Sequence, residues 1–253
     1  MNFWTDKSFC HKIKTDYTGA AAKEKTEFAA ALSCVQENMI QGEIMKKIPV
    51  LNSMQKTRDT RFLKNYTLNY TNSEGGEKIY ETVSNFDYDC PEQLGQRASG
   101  VVIVGFAGEK ILLCREFRMG VNHFVYNLPA GHIDEGENVE ECARRELFEE
   151  TGLALKRVRQ VLSPSYASPD LSDSSAWVLF AEVEGELPGG ASEHTEADEW
   201  IQPGFYSREE TAELLKKERF SGRAQMAAYF FAEGFQMKKG EEKENGYGKD
   251  TNL

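Results

Sequence analysis

The sequence lacks the features that mark disulfide-bonded, exported or membrane-spanning proteins. Its five cysteines are scattered and odd in number, with no C-x-x-C pair, so we expect reduced thiols rather than a disulfide framework. No apolar run approaches the roughly 20 residues that span a bilayer, and the first residues lack the apolar core of a signal peptide. These absences predict a cytoplasmic protein with no membrane partner.

Basic residues are also scarce relative to acidic ones. The chain has 30 Lys and Arg against 41 Asp and Glu, which gives a formal net charge of -11. We therefore expect no nucleic-acid partner, because a phosphate backbone attracts basic surfaces. A small anionic ligand is still compatible with this charge, since metal ions and local arginines can override the net field.

The 253 residues fit one substantial domain with appended segments, and composition divides them into four regions. Residues 1–44 favour a helix but offer no clear partner for its apolar face, so we expect a helical or poorly ordered extension. Codons for Gln41 to Ile44 can hold a ribosome-binding sequence, which leaves open that translation begins at Met45. Residues 45–97 carry a ribbon, 98–236 form the main domain, and the charged tail 237–253 is predicted to be disordered.

Hydrophobic periodicity predicts an α/β protein with a mixed sheet. Alternating residues indicate a two-stranded antiparallel ribbon within 61–85, turning at 72–76. Apolar segments at 101–105, 111–116, 125–128 and 177–183 predict further strands. Three helices are predicted to begin at Asn138, Ser207 and Ser221, the first two with a glutamate three residues on, and Gly152 is expected to end the first.

The first of these helices carries three carboxylates on one face. Glu146, Glu149 and Glu150 are spaced i, i+3 and i+4, so their side chains share about one turn. Like charges so close repel one another, unless hard cations such as Mg²⁺ lie between their oxygens. A solvated acidic face is the alternative explanation, and the surrounding sequence decides between the two.

Read from Gly131, the sequence fits G-x5-E-x7-R-E-U-x-E-E-x-G-U, where U is apolar, at every fixed position. This pattern resembles the box of the Nudix hydrolases. The resemblance implies an α/β/α sandwich with a mixed β-sheet, to which this chain adds an N-terminal antiparallel ribbon. It also implies an enzyme that uses Mg²⁺, with Mn²⁺ as a substitute, to hydrolyse a nucleoside diphosphate linked to another group.

The resemblance assigns roles to individual residues of the box. It implies that the metal ligands are the Ala130 carbonyl and the carboxylates of Glu146, Glu149 and Glu150. Glu149 has a second interpretation as the catalytic carboxylate that orients the attacking water. The residues expected to support the box are Gly131, Glu137, Arg145 and Gly152, of which Glu137 and Arg145 resemble a bracing ion pair.

Two further segments resemble the ADP-ribose pyrophosphatases of this family. The run L-P-A-G-H-I-D-E-G-E at 128–137 has their form of the box. Pro169 lies within S-P-D-L-S-D, where those enzymes carry S-P-G-x-S-D-E. Asp170 replaces the usual glycine and Ser174 the usual glutamate, so the exact substrate is left open.

The same resemblance suggests residues outside the box that contact the substrate. A loop carboxylate within 189–200 is expected to accept the proton, and the alignment favours Glu196 over Glu193, Asp198 or Glu199. Arg118 resembles an arginine that contacts a substrate phosphate, and Arg97 and Tyr66 are further candidate contacts. The alternatives are an acidic exposed loop, surface arginines and a tyrosine that merely packs in its strand.

The sequence thus predicts hydrolysis of ADP-ribose to AMP and ribose 5-phosphate by a homodimer whose ribbon crosses the partner subunit. Hydrolysis of another nucleoside diphosphate sugar or a dinucleotide is the alternative within the same chemistry. A different class is a sensor that binds ADP-ribose without cleaving it, although such sensors commonly lose box carboxylates that this chain keeps. An isomerase or an mRNA-decapping enzyme has no supporting motif here.

Overall fold

The computed structural model describes residues 48–190 and 200–234. The predicted extension 1–44, the tail 237–253 and the candidate base Glu196 lie outside these residues. No described helix has both the length and the apolar character that a membrane crossing requires.

The N-terminal part is a three-stranded sheet in the order β1-β2-β3. Its strands are Val50–Asp59 (β1), Lys64–Thr71 (β2) and Glu77–Ser84 (β3). The predicted ribbon and its turn are confirmed: Gly75 has φ 85°, and the Asn72 side-chain oxygen accepts hydrogen bonds from the Glu74 and Gly76 amides. β1 was not predicted, because most of its residues are exposed and polar and give no alternating pattern.

The described residues fall into two compact units. Residues 48–55 and 67–80 form one, in which Leu68 is buried and the Asn52 side chain donates to Thr71 at 2.9 Å. Residues 56–66, 81–190 and 200–234 form the other, which holds the box and the larger sheet. The interactions described below lie within this larger unit.

The larger sheet has seven strands in the order β10-β5-β4-β9-β8, with β6 paired to β5 and β7 to β4. The strands are Gly100–Ala107 (β4), Lys110–Arg118 (β5), His123–Asn127 (β6), Ala130–His132 (β7), Ala154–Tyr166 (β8), Ser175–Glu184 (β9) and Ile201–Tyr206 (β10). β4 and β9 run parallel, whereas the other described pairings are antiparallel, so the sheet is mixed as predicted.

Three of these strands carried no recognisable pattern. β8 is an edge strand of 13 residues that is largely exposed and rich in charged and polar side chains. β7 is only three residues long, and β10 contains Pro203 and Gly204, which ordinarily argue against a strand. Pairing with a neighbouring strand, rather than local preference, therefore defines all three.

The three described α-helices begin where their flanking residues predict, and the first also ends at the predicted glycine. They are Val139–Thr151 (α1), Arg208–Lys217 (α2) and Gly222–Ala232 (α3). Asn138 and Ser207 each form a capping box with the glutamate three residues on, which satisfies amides at the helix start. Gly152 ends α1 in the left-handed conformation, with φ 71°.

Apolar layers cover both faces of the larger sheet. On one side the α1 residues Cys142, Ala143 and Leu147 pack with Ile103, Leu112 and Leu179. On the other side Ala224 and Phe231 of α3 pack with Val102, Val104, Ile111 and Leu113. Successive residues of β4 and β5 therefore face different helices, which is the predicted α/β/α sandwich.

Candidate active site

The box joins the short strand β7 to the helix α1, and an arginine holds the two together. Arg145 donates two hydrogen bonds to the Glu137 carboxylate, from Nε at 3.0 Å and from Nη2 at 2.8 Å. Nη2 also donates to the carbonyl of His132 on β7 at 2.9 Å. One guanidinium therefore links the strand, the loop that follows it and the helix.

The charge pairing between Glu137 and Arg145 is strong. The Arg145 guanidinium lowers the pKa of Glu137 to about 2, and the Asp134 amide also donates to that carboxylate. The same pairing raises the pKa of Arg145. The Glu137 side chain is largely buried and the arginine partly so, and this shields their hydrogen bonds from water.

Glu146 packs directly against the backbone of β7. A Cβ added to Gly131 would overlap the carboxylate carbon and both carboxylate oxygens of Glu146. Only glycine fits at position 131 while that carboxylate keeps its place. The glycine of the box thus makes room for the Glu146 carboxylate beside β7, and its backbone conformation does not require it, because its φ is not in the left-handed region.

Glu150 is a buried carboxylate that lies next to Glu146 along β7. Its exposed fraction is 8%, and its Oε2 accepts a hydrogen bond from the Ala130 amide at 3.1 Å. Ala130 and Gly131, neighbours on β7, therefore contact the carboxylates of Glu150 and Glu146. The structure brings together four of the residues predicted to build the metal site or support it.

Glu149 lies on the more exposed side of this group. Its Oε2 accepts from Arg145 Nη1 at 3.2 Å, and the same nitrogen donates to Glu146 at 2.7 Å. Between residues 48–190 and 200–234, no three His, Cys, Asp or Glu side chains are gathered in the arrangement of a metal site. The donors nevertheless suit a hard divalent cation, because they are carboxylate oxygens on adjacent turns of one helix.

Of the three predicted substrate contacts, the two arginines are exposed and the tyrosine is buried. Arg118 is at the end of β5 with its side chain 60% exposed, and it donates to Glu116 at 3.3 Å. Arg97 is exposed, and its guanidinium lies 5.4 Å from the centre of the Phe86 ring. Tyr66 is 1% exposed and packs against Tyr88, with ring centres 5.8 Å apart, so its ring lies in the interior and offers no face to a ligand.

Two buried acids were not singled out from the sequence. Asp173 accepts a hydrogen bond from the Tyr88 hydroxyl, and its Oδ1 has no hydrogen-bond partner within the described part of the chain. Glu116 is 3% exposed, although it lies in the charged C-terminal part of β5, between Arg115 and Phe117. The available signal for Glu116 was its position in the alternation of β5, two residues before Arg118 and on the same face as the buried Leu112 and Cys114.

Comparison with known proteins identifies this arrangement. The model of the NUDIX domain matches residues 95–229, which is more than half of the chain. The chain belongs to the Nudix family. Members of this family generally use divalent metals, which agrees with the oxygen donors gathered at β7 and α1.

The Nudix chain is related at modest identity to enzymes that hydrolyse ADP compounds. It is 26% identical to the ADP-ribose pyrophosphatase of Escherichia coli (strain K12) over 148 residues, 56% of this chain and 70% of that protein. It is 28% identical to the ADP compounds hydrolase NudE of the same organism over 152 residues, 57% of this chain and 74% of that protein.

A solved structure supports the fold. The crystal structure of an ADP compounds hydrolase superposes with a TM-score of 0.56 at 21% identity, covering 73% of this chain and 92% of that one. The family, the fold and the class of pyrophosphohydrolase predicted from the box are therefore confirmed.

Proposed function

We propose that this Nudix hydrolase cleaves ADP-ribose to AMP and ribose 5-phosphate in the presence of Mg²⁺. The observation that carries the proposal is the contact of Glu146 and Glu150 with Gly131 and Ala130, which gathers hard oxygen donors at one place. The substrate is proposed because relatives over more than half of the chain are ADP-ribose pyrophosphatases.

The residues that would hold the cation are Ala130, through its carbonyl, and Glu146, Glu149 and Glu150. A bound divalent cation supplies charge neutralisation for the diphosphate and lowers the pKa of a coordinated water. The hydrogen bonds of Arg145 to Glu137 and to the His132 carbonyl hold α1 against β7, so that these donors stay together. Mn²⁺ is expected to substitute, since it takes the same oxygen ligands.

The remaining roles fall to residues around the box. Arg118 and Arg97 bind the phosphates of the substrate by charge-assisted hydrogen bonds. Glu196 accepts the proton of the attacking water, while Glu149 orients that water or ligates the cation. The water oxygen forms a bond to one phosphorus, and the bond from that phosphorus to the bridging oxygen breaks, which releases the two monophosphates.

A second candidate is hydrolysis of another nucleoside diphosphate sugar or a dinucleotide. The sequence favours this alternative at Asp170 and Ser174, where it departs from the ADP-ribose pyrophosphatases it resembles. Asp170 lies in a turn that begins at Ser168, whose carbonyl accepts from the Leu171 and Ser172 amides at 2.9 Å. A side chain in that turn could alter which sugar is accepted without changing the chemistry.

A substrate panel tests the proposal. The full chain is incubated with Mg²⁺, Mn²⁺ or EDTA and with ADP-ribose, ADP-glucose, GDP-mannose, NADH, diadenosine polyphosphates or 8-oxo-dGTP, and the products are separated by chromatography. We expect AMP and ribose 5-phosphate from ADP-ribose, with the highest kcat/KM of the panel, and no reaction in EDTA. A tenfold higher kcat/KM for another compound would replace ADP-ribose as the substrate, and tight binding of ADP-ribose without turnover would favour a sensor.

A further inference from the structure

Glu116 is a buried carboxylate that belongs to no part of the box. It lies on β5, is 3% exposed, and is paired across the sheet with Ile201 on one side and Val125 on the other. Burial of a charge among apolar neighbours is unfavourable unless hydrogen bonds compensate. The groups that donate hydrogen bonds to Glu116 therefore indicate what its carboxylate does at this position.

Two side chains donate to the same oxygen of Glu116. Arg118 Nη1 lies 3.3 Å from Oε2, and Asn127 Nδ2 lies 3.2 Å from it. The orientation of the Asn127 amide is set by Ser221, whose hydroxyl donates to Asn127 Oδ1 at 2.6 Å. With its oxygen engaged in this way, Asn127 presents its NH₂ group to the carboxylate.

The Ser221 hydroxyl donates to Asn127 and does not cap the helix that follows it. Ser221 occupies the N-cap position of α3, where a serine side chain ordinarily accepts from the first helical amides, yet it makes no side-chain capping hydrogen bond. Its hydroxyl points instead at Asn127 of β6. The start of α3, strand β6 and strand β5 are thus linked through Asn127 and Glu116 to Arg118.

The network lies on the same side of the sheet as the box. Leu112, on that strand, packs against α1, and the alternation of a strand places Cys114, Glu116 and Arg118 on the same face. Burial raises the pKa of the Cys114 thiol, and the charges of Glu150 and Glu116 raise it further. Glu116 and Arg118 therefore lie on the face of the sheet that α1 covers.

We infer that Glu116 is a positioning residue whose carboxylate, oriented by Asn127, holds the Arg118 guanidinium where it binds the diphosphate of the substrate. The inference rests on the proposed function, because it requires Arg118 to meet a substrate phosphate. The Arg118 side chain is 60% exposed, and a long exposed side chain samples many rotamers unless it is anchored. A guanidinium has five N–H donors, so a bond to Glu116 leaves others to face a ligand.

A double-mutant cycle tests the inference on the full chain. Glu116→Gln, Arg118→Ala and the double variant are compared with wild type for KM and kcat toward ADP-ribose with Mg²⁺, and for the Kd of ADP in EDTA by calorimetry. Each single change is expected to raise KM and Kd about tenfold with kcat altered less than threefold, since a charged hydrogen bond is lost. The double variant should be no more than about twofold worse than Arg118→Ala alone.

A second arginine and glutamate pair serves as a control, because it shows whether the loss of any ion pair on the sheet would raise KM. Arg159 of β8 and Glu182 of β9 form a different arginine and glutamate pair, which joins two neighbouring strands away from Glu116. Arg159→Ala and Glu182→Gln should leave KM within twofold of wild type. If Glu116→Gln lowers the melting temperature enough to prevent assay, Ser221→Ala tests the same network without touching the carboxylate, and its rise in KM should vanish when Arg118 is already alanine.

The outcomes separate the inference from the proposed function. Independent, multiplicative effects of Glu116→Gln and Arg118→Ala, or an unchanged KM in Glu116→Gln, would overturn the inference while leaving hydrolysis intact. If another diphosphate proves to be the substrate, the cycle is run on that compound, and coupling there supports the inference although ADP-ribose is rejected. A wild type that neither hydrolyses any panel compound nor binds ADP would overturn both.

Discussion

The carboxylate of Glu146 occupies the space into which any side chain at position 131 would project. The position of Glu146 on α1 therefore depends on the identity of residue 131 on β7. The Glu146 carboxylate can lie against the strand only because glycine has no Cβ. The fixed glycine and this fixed glutamate of the box are therefore both needed to form the same contact. This explains why both identities are needed, although they are 15 positions apart in the sequence.

The first prediction concerns this contact. Gly131→Ala should abolish most turnover, because the new methyl group displaces the Glu146 carboxylate, while the free energy of unfolding should change by about 1 kcal/mol or less, since the far end of that side chain can move aside. Turnover and urea denaturation measure the two effects. Gly222→Ala, at a helical glycine with open space around it, is the control and should be neutral or slightly stabilising. Wild-type activity in Gly131→Ala would show that the close approach is dispensable.

A second prediction concerns the buried carboxylate of Glu150. Glu150→Gln should lower kcat by at least about 100-fold and leave the fold intact, since an amide keeps the shape but loses the charge that would hold a cation. Circular dichroism and steady-state kinetics at saturating Mg²⁺ provide the measurement. Glu140→Gln, on the exposed side of the same helix, should retain near wild-type turnover. More than a tenth of wild-type rate in Glu150→Gln would remove Glu150 from the ligand set.

A third prediction follows from the depressed pKa of Glu137, about 2 in the folded protein against an ordinary 4.5. The folded state binds fewer protons than the unfolded chain between these values, so the stability from this group is fully present above about pH 5 and is lost as pH falls toward 2. Glu137→Gln should therefore be less stable at pH 7 by about 1–2 kcal/mol, after allowance for solvent screening, and the difference should disappear in acid.

Denaturant unfolding of both proteins across pH 2 to 7 measures this effect. Glu213 is the control, because its pKa is also lowered to about 2, by Lys216 and Lys217, but on an exposed helix face. Glu213→Gln should change stability little at any pH, since water screens that pair. A Glu137→Gln deficit that persists unchanged at pH 2 would show that the loss is one of packing and not of charge.

The fourth prediction is a homodimer formed through the N-terminal strands. Ile48, Val50 and Ile79 are more than half exposed, and such apolar side chains on a small sheet need a covering surface. Light scattering should give about twice 28.6 kDa, and Ile79→Lys should yield an inactive monomer. Met226→Lys, an equally exposed apolar position on α3, should leave mass and activity unchanged. A fully active monomer at micromolar concentration would contradict both the dimer and a site shared between subunits.

Local signals in the sequence account for most of the fold that was predicted correctly. Helix α1 was bounded correctly because Asn138, Glu141 and Gly152 act on their immediate neighbours, and such effects do not depend on the rest of the fold. β8 and β10 were missed because hydrogen bonds to β9 and β5 define them, and distant pairing leaves no periodic pattern in an exposed or proline-containing segment.

In the candidate site, too, residues close in sequence were predicted, and residues that meet only in the folded chain were missed. The box residues were found together because a short segment contains them all. Glu116, Asn127 and Ser221 were missed as a group, since they come from β5, β6 and the start of α3 and meet only when the sheet is formed. Tyr66 shows the converse limit: an aromatic residue in a strand looks the same whether it faces a ligand or, as here, the interior.

The alternation of β5 constrains how this strand can change length. Leu112, Glu116 and Arg118 lie on the α1 side, while Ile111, Leu113 and Phe117 lie on the other. One inserted or deleted residue within the strand would exchange the two faces for every position beyond it. It would turn Arg118 away from the box and bring an aromatic ring in its place. Homologous chains should therefore vary in length at the exposed hairpin 119–122, where the loop can absorb an insertion, and keep the spacing from Leu112 to Arg118 fixed.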